Sequence, residues 1–279
     1  MSALTLGGVA FAFGTLIALA NKAFWVWKDP RVDGVSDMLP NTNCGACGFA
    51  GCQAFAEGLI DGKTQPAVCT VMGEDERADI AEFLNVDVGD ADVRVARLLC
   101  AGDCNRSPNK ATYSGLPTCG AAAAVAGGGK QCPWGCLGLG DCERSCDFDA
   151  IRMSPEGLPE VSPPLCTACG DCVDACPKDL FTIMPIAHRL LVQCRNPIDG
   201  DAATEMCSVA CNSCGKCAVD AAHGVIEMID GLPAINYELN DFAGPEAVAR
   251  CPTGAIAWVE GAQFTSTAER RQPVGSTMQ

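Results

Sequence analysis

Histidine is nearly absent from this sequence of 279 residues, where only His188 and His223 occur. Zinc sites built from paired CxxC motifs often recruit imidazole, so the shortage argues against zinc as the reason for the 21 cysteines. Basic residues are in deficit too, 19 Lys and Arg against 34 Asp and Glu, for a formal net charge of −15. Such a chain has no electrostatic footprint for a phosphate backbone, and nucleic acid is not an expected partner. No basic residue precedes the first apolar stretch, as the n-region of a cleaved leader requires. No His, Asp and Ser constellation suited to substrate chemistry accompanies the cysteines, and His188, His223 and Trp134 read as packing or outer-sphere donors rather than ligands.

What is abundant is cysteine in tight runs, such as Cys166-x2-Cys169-x2-Cys172-x3-Cys176-Pro177. Thiols this close along a chain cannot all pair with one another without strain, and disulfide scaffolds belong mostly to short secreted chains. A 4Fe–4S cubane needs four converging thiolates. Three come from a C-x2-C-x2-C loop and the fourth from elsewhere, and in two-cluster ferredoxins the Cys before Pro serves the other cluster.

The order of segments suggests an α+β chain. Residues 1–28 form a single N-terminal transmembrane anchor: Leu4–Ala20 (LTLGGVAFAFGTLIALA) carries no charge, and extension through Trp27 approaches a bilayer's thickness. Lys22, Lys28 and Arg31 lie C-terminal to it, which puts the cysteine domains on the cytoplasmic side of the cell membrane. The Ala18-Leu19-Ala20 sequence also fits a leader cleavage site, a reading that the missing n-region weighs against. A polar linker over 29–39 leads into a small α-helical 4Fe–4S module, 29–88 in all, with apolar residues at helical spacing in Gln53–Asp61 and Glu76–Leu84. A cysteine-containing connector (89–131) precedes two tandem ferredoxin-like units, 132–190 and 191–262, and a disordered tail (263–279).

The two units are an internal repeat at a constant offset of 75 residues. Cys132, Cys136, Cys142 and Cys176-Pro177 map onto Cys207, Cys211, Cys217 and Cys251-Pro252. Three ligand sets are then complete: Cys44/Cys47/Cys52/Cys69, Cys146/Cys166/Cys169/Cys172 and Cys211/Cys214/Cys217/Cys251. The set Cys136/Cys142/Cys176 is one short, because position 139 is Leu. The second unit has the opposite defect, with Ala221, Asp241, Gly244 and Ala247 where another set would be, so that site is lost.

Nine cysteines remain, 100, 104, 119, 132, 136, 142, 176, 194 and 207, enough for two more clusters with one to spare. One division groups Cys100, Cys104, Cys119 and Cys132, leaving Cys194 or Cys207 to complete Cys136/Cys142/Cys176. In others Cys132 completes that loop, or the site is a three-iron cluster. About five 4Fe–4S clusters are expected.

The apolar N-terminus, Asp29-Pro30-Arg31-Val32 and LPNTNCGACGFAGCQAFAEGLIDGK at Leu39–Lys63 resemble the B subunit of the Rnf-type ion-translocating ferredoxin:NAD oxidoreductase complex. Cys132–Ile151 (CPWGCLGLGDCERSCDFDAI) resembles the ferredoxin part of its longer members, and the likeness runs to about Glu260. Asn41 stands where that family has Gly in LPGxNCG. The resemblance implies an electron-transfer subunit of a membrane redox complex. It would accept electrons from ferredoxin or a similar soluble donor and pass them to partner subunits rather than carry out catalysis itself. The alternatives are a diverged paralogue relaying electrons in another membrane or soluble oxidoreductase, an enzyme using an incompletely ligated cluster, and a redox or iron sensor.

Overall fold

The computed structural model describes residues 2–24, 29–90 and 92–264. The expected tail beyond residue 264 and the last residues of the expected anchor, 25–28, lie outside them. Helix α1 (Ser2–Ala23) follows the apolar N-terminal stretch, and Phe11, Phe13, Leu16, Ile17 and Leu19 are exposed on it. Among the described residues no helix is long and apolar enough to cross a membrane. Within the expected span, Ser2–Ala23 is therefore a helix, and not a demonstrated anchor.

Two compact units divide the chain. The first is helical, with α2 (Pro30–Met38), α3 (Cys52–Ile60) and α4 (Glu74–Leu84). Residues 29–39, expected as a polar linker, instead fold as α2. Asp29 caps it by accepting the Arg31 N–H at 2.9 Å, and Pro30 occupies the first helical position, where no amide is needed. Val32, Val35 and Leu39 are spaced to form one buried stripe. The remaining core of this unit comes from Phe55, Ala56 and Leu59 of α3 and Ile80 and Ala81 of α4. The Glu76 carboxylate accepts the Gly73 N–H at 2.9 Å where α4 begins, and Asn85 ends that helix in the left-handed region.

The second unit holds two copies of one four-stranded motif. In the first copy β1 (Arg94–Leu98) pairs antiparallel with β4 (Phe181–Pro185), and β2 (Ile151–Met153) with β3 (Pro159–Val161). In the second, β5 (Leu190–Val192) pairs with β8 (Ile256–Trp258), and β6 (Ile226–Ile229) with β7 (Leu232–Ile235). The β6–β7 hairpin turns on Asp230-Gly231, both at positive φ (48° and 79°), the pairing that a tight two-residue hairpin turn requires. Single-turn helices α6 (Asp141–Arg144) and α7 (Asp171–Asp174) of the first copy recur as α9 (Lys216–Asp220) and α10 (Glu246–Ala249) of the second. Between β1 and α6 lies α5 (Cys119–Ala124), and between β5 and α9 lies α8 (Gly200–Met206). The copies meet through Met184, Leu191 and Val259, with Leu99 and Tyr237 packed on them.

Two boundaries differ from the sequence expectation. Strand β1, within the expected connector, pairs along its whole length with β4, so the first copy starts well before residue 132. Gln263, placed in the expected tail, exchanges two hydrogen bonds with the Leu98 backbone (2.9 and 2.6 Å), and Phe264 packs on the core beneath β1.

Candidate metal centres

The two copies superpose by register. Leu98 pairs with Phe181 and Val192 with Ile256, while Leu99 N–H donates to Leu180 O and Gln193 N–H to Ala255 O, each at 2.7 Å. Cys100 is therefore the counterpart of Cys194, at an offset of 94 rather than 75. The nineteen additional residues lie between Cys100 and Cys132 and carry Cys104 and Cys119.

Sixteen cysteines line four cavities, four to each. Cys146, Cys166, Cys169 and Cys172 line one, and Cys211, Cys214, Cys217 and Cys251 another. A third is lined by Cys119, Cys136, Cys142 and Cys176. The fourth is lined by Cys100, Cys132, Cys194 and Cys207, two residues from each copy related by the repeat. The expected division of the remaining cysteines is thus not the one the fold makes. Cys119 joins the short loop, Cys194 and Cys207 go elsewhere, and Cys104, exposed, lines none of these cavities.

Local chemistry explains how Cys119 arrives. Thr118 caps α5 by accepting the Ala121 N–H at 3.2 Å, and Asp141, at the head of α6, accepts the Gly120 N–H at 3.0 Å. The start of α5 is thereby tied to the residue before Cys142. Burial works against the Asp141 carboxylate, yet the amides of Gly120 and Cys119 and the Arg144 guanidinium hold its pKa below the usual range. Leu139 leaves the loop path intact: Gly138 is left-handed (φ 72°), as is its counterpart Ser213 (φ 59°).

In the erased site of the second copy, Ala221, Leu239, Ala243 and Val248 pack on the core around buried Ala247. Asp241 is exposed, in keeping with a surface role. His188 stacks on Tyr237 (4.5 Å between centroids, 3° apart) and His223 is exposed, so neither reaches a cysteine cavity, whereas Trp134 lines the one between the copies.

In the N-terminal loop Asn41 and Asn43 both sit at positive φ (54° and 51°), which Asn tolerates better than most side chains. Asn41 thus keeps a backbone shape for which the resembled family uses Gly. The Asn43 carboxamide oxygen accepts the Cys52 N–H at 2.9 Å at the start of α3. Cys44 and Cys52 belong to the first unit, and Cys47 and Cys69 to the second.

Each donor set is four thiols around one cavity, the ligand chemistry of a cysteine-held iron–sulfur cluster. Among the described residues no group of three or more His, Cys, Asp or Glu is drawn together tightly enough to hold one ion. Several sulfurs accept backbone N–H groups: Cys100 from Cys136 (3.4 Å), Cys194 from Cys211 (3.3 Å), Cys166 from Ala96 (3.5 Å) and Cys176 from Leu180 (3.5 Å). Without a compensating cation, burial and then the neighbouring sulfurs push the thiols up, to about 12 for Cys142 and Cys172 and about 11 for Cys132. Cys251 is the exception: burial works to raise it, but the amides of Ile256, Thr253 and Gly254 and the Thr253 hydroxyl hold it lower. Thiolates clustered this way need positive charge among them.

Comparison with known proteins agrees with this chemistry. The family model described as "Putative Fe-S cluster" matches residues 39–71. The chain is 39% identical over 246 residues to the B subunit of the Na(+)-translocating ferredoxin:NAD(+) oxidoreductase complex of Acetobacterium woodii, covering 82% of this chain and 74% of that one. It is 35% identical to the B subunit of the proton-translocating ferredoxin:NAD(+) oxidoreductase complex of Clostridium ljungdahlii (89% and 88% covered). To the B subunit of the ion-translocating oxidoreductase complex of Methanosarcina acetivorans it is 34% identical (90% and 95% covered). By sequence over most of its length, the chain belongs to the family of B subunits of the Rnf-type ion-translocating ferredoxin:NAD oxidoreductase complexes.

Proposed function

We propose that the chain is the iron–sulfur electron-transfer subunit of such a membrane complex, taking electrons from reduced ferredoxin or a similar low-potential donor and delivering them to partner subunits. The observation that carries this is the sorting of sixteen cysteines into four cavities of four, with no imidazole lining any of them and one carboxylate in each of two, Asp171 and Asp141. Those quartets would each hold a 4Fe–4S cluster, and Cys44/Cys47/Cys52/Cys69, within the matched family region, would hold a fifth. Such clusters supply reversible one-electron chemistry when bound.

The protein's own part is to place the quartets side by side. Cys211 and Cys136, ligand positions of two cavities, donate their N–H groups to Cys194 and Cys100 of the cavity between the copies. Cys142 and Cys172, from adjacent quartets, share one core. Helix α1 is read as a single-pass anchor, with the cysteine domains facing the cytoplasm. The sequence supports this through its uncharged run and the basic residues after it.

The rival reading, an enzyme working at an incompletely ligated cluster, loses its motive because Cys119 lines the cavity of the short loop. To test the proposal, the full chain with its clusters, mixed anaerobically with reduced ferredoxin, is followed for bleaching of the iron–sulfur absorbance. Reduction by several electrons per chain is expected. No bleaching, or a single electron per chain, would sink it.

A further inference from the structure

Lys130 is a buried cation that is not among the cluster ligands. Its side chain is 6% exposed, and its ammonium donates to Gly102 O at 2.7 Å. It forms no ion pair among the described residues, an unusual state for a buried charge. Both ends of its path touch cluster ligands. A Cβ on Gly102 would lie 2.9 Å from Cys207 Sγ and 3.8 Å from Cys100 Sγ, so this carbonyl-bearing residue is pressed against the inter-copy quartet. A Cβ on Gly135, the residue before Cys136, would lie 3.4 Å from both Lys130 Cε and Cys132 Cβ. The repeat breaks here: at the offset of 75 residues the second copy has Glu205, exposed and of opposite sign.

We infer that Lys130 is a positioning charge that raises the reduction potentials of the two quartets beside it, Cys100/Cys132/Cys194/Cys207 and Cys119/Cys136/Cys142/Cys176, relative to Cys211/Cys214/Cys217/Cys251. The inference rests on the cluster assignment proposed above. Reduction adds one electron, drawn from a low-potential one-electron donor, and neither makes nor breaks a bond at Lys130. The negative charge so gained lies near a fixed ammonium in a poorly screened interior, where outer-sphere charge tunes a cluster's potential. The second copy has no buried ammonium, its Lys216 beside Cys217 being exposed and screened by solvent, so an electron arriving there finds lower energy on moving into the first copy. The pseudo-symmetric pair of copies thereby acquires a direction.

The test is an EPR-monitored redox titration of the anaerobically prepared full chain and three variants, each checked for iron content. Lys130→Gln keeps a donor for Gly102 O but loses the charge, Lys130→Met loses both, and Lys130→Arg keeps both. The Gln and Met variants should lower the reduction equilibrium of two clusters about tenfold, which for one electron is about 59 mV. Lys130→Arg should stay within about threefold of the parent, or about 28 mV by the same conversion. Parent potentials in Lys130→Gln would show that the hydrogen bond alone matters and overturn the inference. So would unchanged potentials in Lys130→Met, or loss of iron from both uncharged variants, which would make Lys130 a structural peg. Failure of the assignment itself would show separately, as a parent chain holding fewer than five cubanes.

Discussion

Replacing Cys119 with Ser will remove one cubane from the chain, whereas replacing Cys104 with Ser will remove none. Both cysteines lie in the nineteen residues that the first copy has and the second lacks. Spacing alone gives neither an advantage. The fold separates them: Cys119 begins α5, pinned by Thr118 and Asp141 into the cavity with Cys136, Cys142 and Cys176, while Cys104 is exposed and lines none of the four cavities. A fully loaded chain would carry about twenty irons, and Cys119→Ser should bring it to about sixteen, or to about nineteen with the EPR signature of a three-iron cluster. Anaerobic iron and sulfide quantification reads the difference. A full complement in Cys119→Ser with a deficit in Cys104→Ser would reverse the assignment.

Removing the iron will unfold the repeat while leaving much of the helical unit in place. The repeat is four separate two-stranded sheets with strands of three to five residues, and an isolated two-stranded hairpin is at best marginally stable in water. Its cores are not independent of the cofactors. Cys100, Cys142 and Cys172 lie within one apolar cluster, Cys217 in another, and Cys132 and Cys207 in a third. Where a metal site does not pre-exist in the unfolded chain its binding free energy is folding free energy, about 10–16 kcal/mol for structural zinc in zinc-finger peptides. The unit of α2, α3 and α4 differs, because its buried Val32, Val35, Leu39, Phe55, Leu59 and Ile80 form an apolar core of their own. After anaerobic chelation, hydrogen exchange should show amides of β1, β4, β5 and β8 losing at least a thousandfold of protection, about 4 kcal/mol. The buried face of α2 should lose far less. Native protection throughout the iron-free repeat would contradict this account.

Much of this architecture is legible in the residues. The 75-residue offset delivers α6 onto α9, α7 onto α10, β2 onto β6 and the start of β4 onto that of β8, because both copies wrap the same loop around the same kind of quartet. The complete sets follow from local spacing, since a C-x2-C-x2-C loop brings its own sulfurs together. What could not be read was the equivalence of Cys100 and Cys194. The inserted residues shift the offset for everything before Cys132, and only the pairing of β1 with β4 and β5 with β8 restores it. The place of Cys119 was hidden for the same reason, as it depends on a contact with Asp141 across the fold. One signal was available: Leu99-Cys100 and Gln193-Cys194 each follow a short stretch rich in apolar residues, Val95–Leu98, broken by Arg97, and Leu190–Val192. Helix α2 was concealed by its polar residues, although Asp29-Pro30 is a helix-start signature.

Five cysteine quartets and one spare thiol would set the cofactor load, which iron and acid-labile sulfide quantification in the anaerobically reconstituted full chain reads. About twenty of each per chain are expected, unchanged by Cys104→Ser. Sixteen or fewer in the parent chain, or a loss of four on replacing Cys104, would contradict this assignment.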